Sequence, residues 1–204
     1  MGWYIASTRV GQSYVLWFLG VNMNENVEIE RRFLVDGRND KPWQGGEYIE
    51  IQQYYLSEVT YENGEVAWRG QKLVDDHRDL TSIRTWRVRH QTDKKGTTII
   101  LTAKGKRTGA TATEFEWELS SQLYEQLNLE GLPTVVKTRY LWNGEDGLLW
   151  EVDEFEGTLS GLVIAEVELE REDQHVTIPS WAGLELTHLK GWSNASLAEM
   201  LTQA

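Results

Sequence analysis

The sequence predicts a mostly antiparallel β domain with a few helices, folded as one unit. Three observations predict it. Many short runs alternate apolar and polar residues at period two, with Gly, Asn and Asp between them. No internal repeat, low-complexity tract or Pro-rich linker divides the chain. Its 204 residues are 40% hydrophobic and 11% aromatic, enough to bury one core.

In chain order, residues 1–22 come first and differ from the rest. Arg9 is their only formal charge, and their most apolar run, 14–21, falls far short of the roughly 20 residues that span a membrane. They read as an extension or an over-called start, followed by a single domain at 23–204. The strand-like runs are 27–35, 49–56, 82–90, 97–104, 114–119, 135–141, 148–155 and 163–170. Ser120 or Ser121 caps a helix whose Leu123 and Leu127 share a face, and Gly131 and Pro133 end it. A second helix is predicted at 194–201. The charged segment 57–83 reads as a long loop or hairpin excursion. Trp43, Trp181 and Trp192 lack alternating context and are assigned to core packing.

Composition removes several functions. With no Cys, the chain has no disulfides, thiolate metal sites, iron–sulfur clusters or Cys nucleophile. This composition suits a reducing, cytoplasmic setting. A net charge of −12 argues against wrapping nucleic acid or docking on an anionic membrane. The same number disfavours a polyanionic substrate, until the strand faces are considered.

Side chains two apart in a strand share a face. Glu28, Glu30 and Arg32 therefore oppose Ile29 and Phe33. Arg87 and Arg89 oppose Trp86 and Val88, and Thr102 and Lys104 oppose Leu101 and Ala103. Glu114, Glu116 and Glu118 oppose Phe115 and Trp117. Lys137 and Arg139 oppose Val136 and Tyr140, Glu151 and Asp153 oppose Trp150 and Val152, and Glu166 and Glu168 oppose Val167 and Leu169. Two carboxylates about 7 Å apart repel by about 2 kcal/mol at an effective dielectric near 20. Repeating such pairs on strand after strand is unfavourable unless something offsets them. A divalent cation would offset the acidic pairs, and a polyphosphate the basic ones. Carboxylates are hard ligands suited to Mg²⁺ or Mn²⁺. Arg forks match phosphate oxygens, and Lys adds a point charge. If the strands close with these faces inward, the interior is a charged tunnel. His77, His90, His175 and His188 lack metal-ligand spacing, and there is no P-loop, nucleophile elbow or Rossmann fingerprint.

VEIERRFLV at Val27–Val35 resembles the opening strand of the CYTH, or triphosphate tunnel metalloenzyme, superfamily, whose signature is Glu-x-Glu-x-Lys. Further resemblances follow in the family's order: Ile51, Gln53, Tyr55 and Leu56; Arg87 and Arg89; LTAKG at 101–105; Glu114 and Glu116; and Lys137, Thr138, Arg139 and Tyr140. Segments 150–157, 161–169 and 179–187 resemble its later strands and C-terminal stretch. The resemblance runs from about residue 27 to 200.

The resemblance implies a mainly β (α+β) fold, an eight-stranded antiparallel β-barrel tunnel with a charged interior and helices packed outside. It implies Glu28, Glu30, Glu166 and Glu168 as metal ligands, with Asp153 as a further acid. Arg87, Arg89, Lys104, Lys137 and Arg139 would hold phosphates. Arg32, in place of the signature Lys, takes a catalytic position, and Glu168 orients a water. Glu114, Glu116 and Glu151 are further inward acids. The expected activity is Mg²⁺- or Mn²⁺-dependent hydrolysis of a small linear triphosphate, inorganic tripolyphosphate first. No nucleic-acid or membrane partner is expected, and a homodimer is left open. Thiamine triphosphatase and class IV adenylyl cyclase are alternatives. A non-catalytic polyphosphate- or nucleotide-binding module is another, motivated by three departures. These are Arg32 for Lys, Ala112 where the family commonly has Arg, and Gly191-Trp192 where an Arg-Tyr pair is expected.

Overall fold

A computed structural model describes residues 26–38 and 40–202 of the chain. The N-terminal extension expected at 1–22 lies outside the described residues. The strands are β1 (Val27–Val35), β2 (Glu47–Leu56), β3 (Thr60–Glu62), β4 (Glu65–Trp68), β5 (Gln71–Asp75), β6 (Ile83–Asp93), β7 (Gly96–Gly105), β8 (Thr111–Leu119), β9 (Thr134–Asn143), β10 (Leu149–Phe155), β11 (Val163–Glu168) and β12 (Ala182–Glu185). The helices are α1 (Ser121–Gln126) and α2 (Asn194–Thr202).

Eight of these strands close on themselves in the order β1-β11-β10-β9-β2-β6-β7-β8 and back to β1, every pair antiparallel. Closure leaves no free barrel edge and fixes a register at every position. β1 makes the seam. One of its edges pairs with β11, setting Glu30 opposite Glu168 and Arg32 opposite Glu166. Its other edge pairs with β8 at Val27–Ile29 and then with β12 near Phe33 and Val35.

The alternation read from sequence now has a cause. Outward residues are apolar because added layers cover them. Val88, Leu101, Ala103 and Phe115 pack under Val66, Trp68 and Leu73 of the small β3–β4–β5 sheet, with Leu123 and Tyr124 of α1 alongside. Phe33, Trp150, Val152, Ala165 and Val167 pack under Trp43 and Trp181. The Trp181 ring lies 5.0 Å from that of Trp43 and 5.5 Å from that of Trp150. Inward positions carry most of the charge, interrupted by Ile49, Ile51 and Gln53 of β2 and Ile100 of β7, and give way to apolar side chains at one end of the barrel. There Leu34, Tyr55, Val135, Phe155 and Ile164 form an apolar cluster with Leu186, Trp192, Leu197 and Ala198. The C-terminal segment with α2 thus fills one end of the tunnel.

Two details sharpen the sequence reading. Segment 57–83, left between a long loop and a hairpin excursion, is a three-stranded meander. Its two hairpins turn at Asn63-Gly64 and Arg69-Gly70, all four residues with positive φ (53°, 82°, 50° and 79°). That is the backbone twist two-residue hairpin loops require, and Asn-Gly is its sequence signature. Helix α1 starts as expected, with the Ser120 side chain accepting from the Leu123 amide at 3.1 Å. It stops at Leu127, before the Gly131 and Pro133 signals. Among the described residues, no helix is long and apolar enough to cross a membrane.

The meander is pinned to the barrel by one buried carboxylate. Asp76 accepts from the backbone and guanidinium of Arg78 and, at 2.8 Å, from the indole Nε1 of Trp117 on β8. The Arg78 hydrogen bonds, aided by Trp117, hold its carboxyl down at about 2 despite burial. Asp76→Ala is expected to lower stability by about 1–3 kcal/mol in urea unfolding at neutral pH. Because the folded-state pKa is depressed, this stabilisation is complete above about pH 4 and is lost as pH falls through about 2. The gap between variant and wild type should close over that interval.

A charged tunnel as the candidate active site

The strand faces set out above line the inside of the barrel. β1 contributes Glu28, Glu30 and Arg32, and β6 contributes Arg87 and Arg89. Lys104 comes from β7, Glu114 and Glu116 from β8, and Lys137 and Arg139 from β9. β10 adds Glu151 and Asp153, and β11 adds Glu166 and Glu168. Ionised groups this deep survive only when paired.

Next to the apolar plug the pairing is complete. Asp153, 1% exposed, takes the Lys137 ammonium, Arg139 Nε at 2.7 Å and Arg139 Nη2 at 2.8 Å. Arg139 also reaches Glu151, and Glu166 at 3.1 Å. Arg32 donates to Glu166 at 2.6 Å, to Glu30 at 2.7 Å and to the Trp192 carbonyl at 3.3 Å. Burial alone would raise the pKa of Glu166. Arg32, Arg139 and Lys137 outweigh it and hold the carboxyl well below the usual range. Asp153 is likewise lowered, with Arg139 and Lys137 overcoming its burial. Both residues have their oxygens engaged by cations. The Arg32 guanidinium, at the position the resemblance makes catalytic, braces two acids beside the plug.

Towards the other end the pairing is incomplete. Lys104 bridges Glu28 at 2.7 Å and Glu114 at 2.6 Å. Glu168, more exposed than its neighbours, has no hydrogen bond or ion pair among the described residues. Desolvation by the tunnel wall, followed by Glu151, Glu28, Glu114 and Glu30, pushes its carboxyl up to about 8. Glu30 is also raised, first by burial and then by Glu166 and Glu28. Among the described residues, no three acidic or histidine side chains stand together as a finished metal site. The donor chemistry nevertheless fits a hard divalent cation. These are crowded carboxylates, one without a partner, and an added positive charge relieves their repulsion.

On the opposite, basic wall the imbalance has the other sign. Arg87 and Arg89 approach Glu114 and Glu116 only to 3.7 and 3.6 Å. The Nε of each is buried without an acceptor. Burial first, then Arg87 and Arg139, lower the pKa of Arg89 against the opposing pull of Glu116 and Glu114, whereas the acids around Arg87 raise its pKa despite burial. An unsatisfied buried donor costs about 1–3 kcal/mol. An anion with several oxygens removes that cost at both arginines together.

One tunnel cation does not belong to the strand faces. Arg107 follows β7 and, read from the sequence, lies near the Arg expected at Ala112 but out of register. Its guanidinium enters the tunnel all the same, donating to the Ala110 carbonyl at 2.7 Å and pairing with Glu28 and Glu30. Period-two alternation cannot assign a side chain that enters from a turn.

Comparison with known proteins agrees with this geometry. The CYTH domain family profile matches residues 26–198. An inorganic triphosphatase of Acetivibrio thermocellus is 33% identical over 176 residues, covering 84% of this chain and 93% of the relative. One from Nitrosomonas europaea is 38% identical over 176 residues, covering 84% and 97%. A solved crystal structure of an inorganic triphosphatase superposes with a TM-score of 0.52 at 32% identity, covering 84% of this chain and 93% of the other. Closed eight-stranded barrel, charged lumen and a profile match over residues 26–198 all point the same way, and the chain belongs to the CYTH domain family.

Proposed function

We propose that the chain is a divalent-metal-dependent triphosphatase whose substrate is inorganic tripolyphosphate. The observation that carries this reading is the charge separation inside one tunnel. Arg87 and Arg89 hold buried N–H groups without acceptors on one wall. Glu168 sits among like charges on the other. A short polyanion with a bound cation satisfies both walls at once. The triphosphatase names of the relatives support the same reading.

Glu28, Glu30 and Glu168 would hold Mg²⁺ or Mn²⁺, which supplies charge neutralisation and a polarised water when bound. Arg87, Arg89 and Lys104 bind the phosphate oxygens and fix the chain for in-line attack. Glu168 accepts a hydrogen bond from the attacking water and orients it. The water oxygen bonds to a terminal phosphorus as the bridging P–O bond breaks, giving phosphate and pyrophosphate. Arg87 and Arg89 stabilise the charge that develops on the departing pyrophosphate. Arg32 and Arg139 work at one remove, keeping Glu166 ionised and the plugged end rigid. Lys137, expected to hold phosphate, is turned to Asp153 and serves the same brace.

Phosphate release from tripolyphosphate should stop on chelation and return with Mg²⁺ or Mn²⁺. Glu28→Gln should reduce it by about 100-fold. Equal rates for wild type and variant would sink the metal-ligand assignment. Arg89→Met should raise the KM for tripolyphosphate by about 10- to 100-fold, and lower the melting temperature by a few degrees at most, because Glu116 loses a nearby cation but keeps its Thr102 hydrogen bond. A variant with lowered melting temperature and unchanged KM would make Arg89 a structural residue only.

A further inference from the structure

Arg107 differs from the cations carried on strands. It sits on the turn between β7 and β8, which mutual backbone hydrogen bonds between Thr108 and Thr111 hold closed at 2.8 and 3.1 Å. Its guanidinium is anchored by the Ala110 carbonyl at 2.7 Å and reaches Glu28 and Glu30. Ala112, paired across the strands with Glu28, is buried and brings no charge of its own to these carboxylates. The Arg107 side chain keeps 26% exposure, whereas Arg32 keeps 12% and is tied down by Glu30, Glu166 and the Trp192 carbonyl. Arg107 therefore occupies, from the solvent side, the two β1 carboxylates assigned above to a divalent ion.

A guanidinium and a divalent cation on the same two carboxylates repel each other, and neither can be neutralised fully while both stay. Arg107 has the freedom to give way, because its stem is long, only partly buried and rooted in a turn. Its nearest new acceptors are then the oxygens of a phosphate chain lying along the tunnel.

We propose that Arg107 is an exchangeable cation. It neutralises Glu28 and Glu30 in the metal-free tunnel and passes to a substrate phosphate when a divalent ion takes those carboxylates. This rests on the triphosphatase reading and adds a phosphate-binding residue from outside the strands. It also gives metal and substrate a shared reason to bind together. Metal loading alone displaces Arg107 without a replacement partner, whereas loading with triphosphate supplies one.

The test uses the full chain and two readouts. Mn²⁺ is titrated without phosphate and followed by the electron paramagnetic resonance of the free ion. Kinetics with tripolyphosphate are then measured at saturating Mn²⁺. Arg107→Gln should bind Mn²⁺ about tenfold more tightly and show a KM raised by about tenfold or more. Arg107→Lys keeps the charge but not the fork. Its Mn²⁺ affinity should stay near wild type, and its KM should fall between the other two. Circular dichroism melting establishes that each variant is folded. Unchanged or weaker Mn²⁺ binding by folded Arg107→Gln overturns the exchange, and so does an unchanged KM. A wild-type chain that neither binds Mn²⁺ nor cleaves tripolyphosphate overturns the triphosphatase reading itself, before any variant is compared.

Discussion

The barrel depends on charge pairing across its strands. A closed sheet allows one register, so each inward side chain has a fixed neighbour. At the plugged end those neighbours have opposite sign, with Arg139 opposite Asp153 and Arg32 opposite Glu166. Further along they have the same sign, with Glu30 opposite Glu168. The first kind of pair makes a lumen full of ions tolerable. The second leaves a residual field that a ligand can relieve. Stability and binding capacity thus come from one device used in two senses, and register alone decides which applies where.

That division changes what net charge means. A total of −12 describes the surface a distant polyanion meets. It says nothing about a lumen whose walls carry opposite signs a few ångströms apart. Low-dielectric walls strengthen short-range fields inside, while solvent screens the outer acidity. An acidic protein can therefore present two unsatisfied arginines to a small anion.

Much of this was legible in the sequence because β structure writes its faces at period two. The opening strand is found at the predicted bounds, Val27–Val35. The other barrel strands sit within a few residues of their alternating runs, and the inward acids and bases fall where parity places them. Parity has no access to tertiary partners, and that is where reading stopped. It could not show that Arg32, Lys137 and Asp153 would be consumed in a brace, since that depends on strands far apart in sequence. It left Arg107 out of register and without a place in the tunnel, because that side chain enters from a turn. It left 57–83 open between a long loop and a hairpin excursion, and the second alternative holds. Val66, Trp68 and Leu73 supply the apolar face that lets this small sheet cover the barrel.

The seam at β1 has a consequence for how the chain is made. Arg32 and its partner Glu166 lie 134 residues apart, and Arg31 and Glu185 lie 154 apart. At ribosomal speeds β1 emerges on the order of 10 s before the strand that completes its pairing. Through that interval the growing sheet is an open trough with its ions in water, where they cost little. Only when β11 arrives can the trough close on β1. Such long-range closure is slow. The enclosed lumen therefore forms with the last barrel strand and not before it.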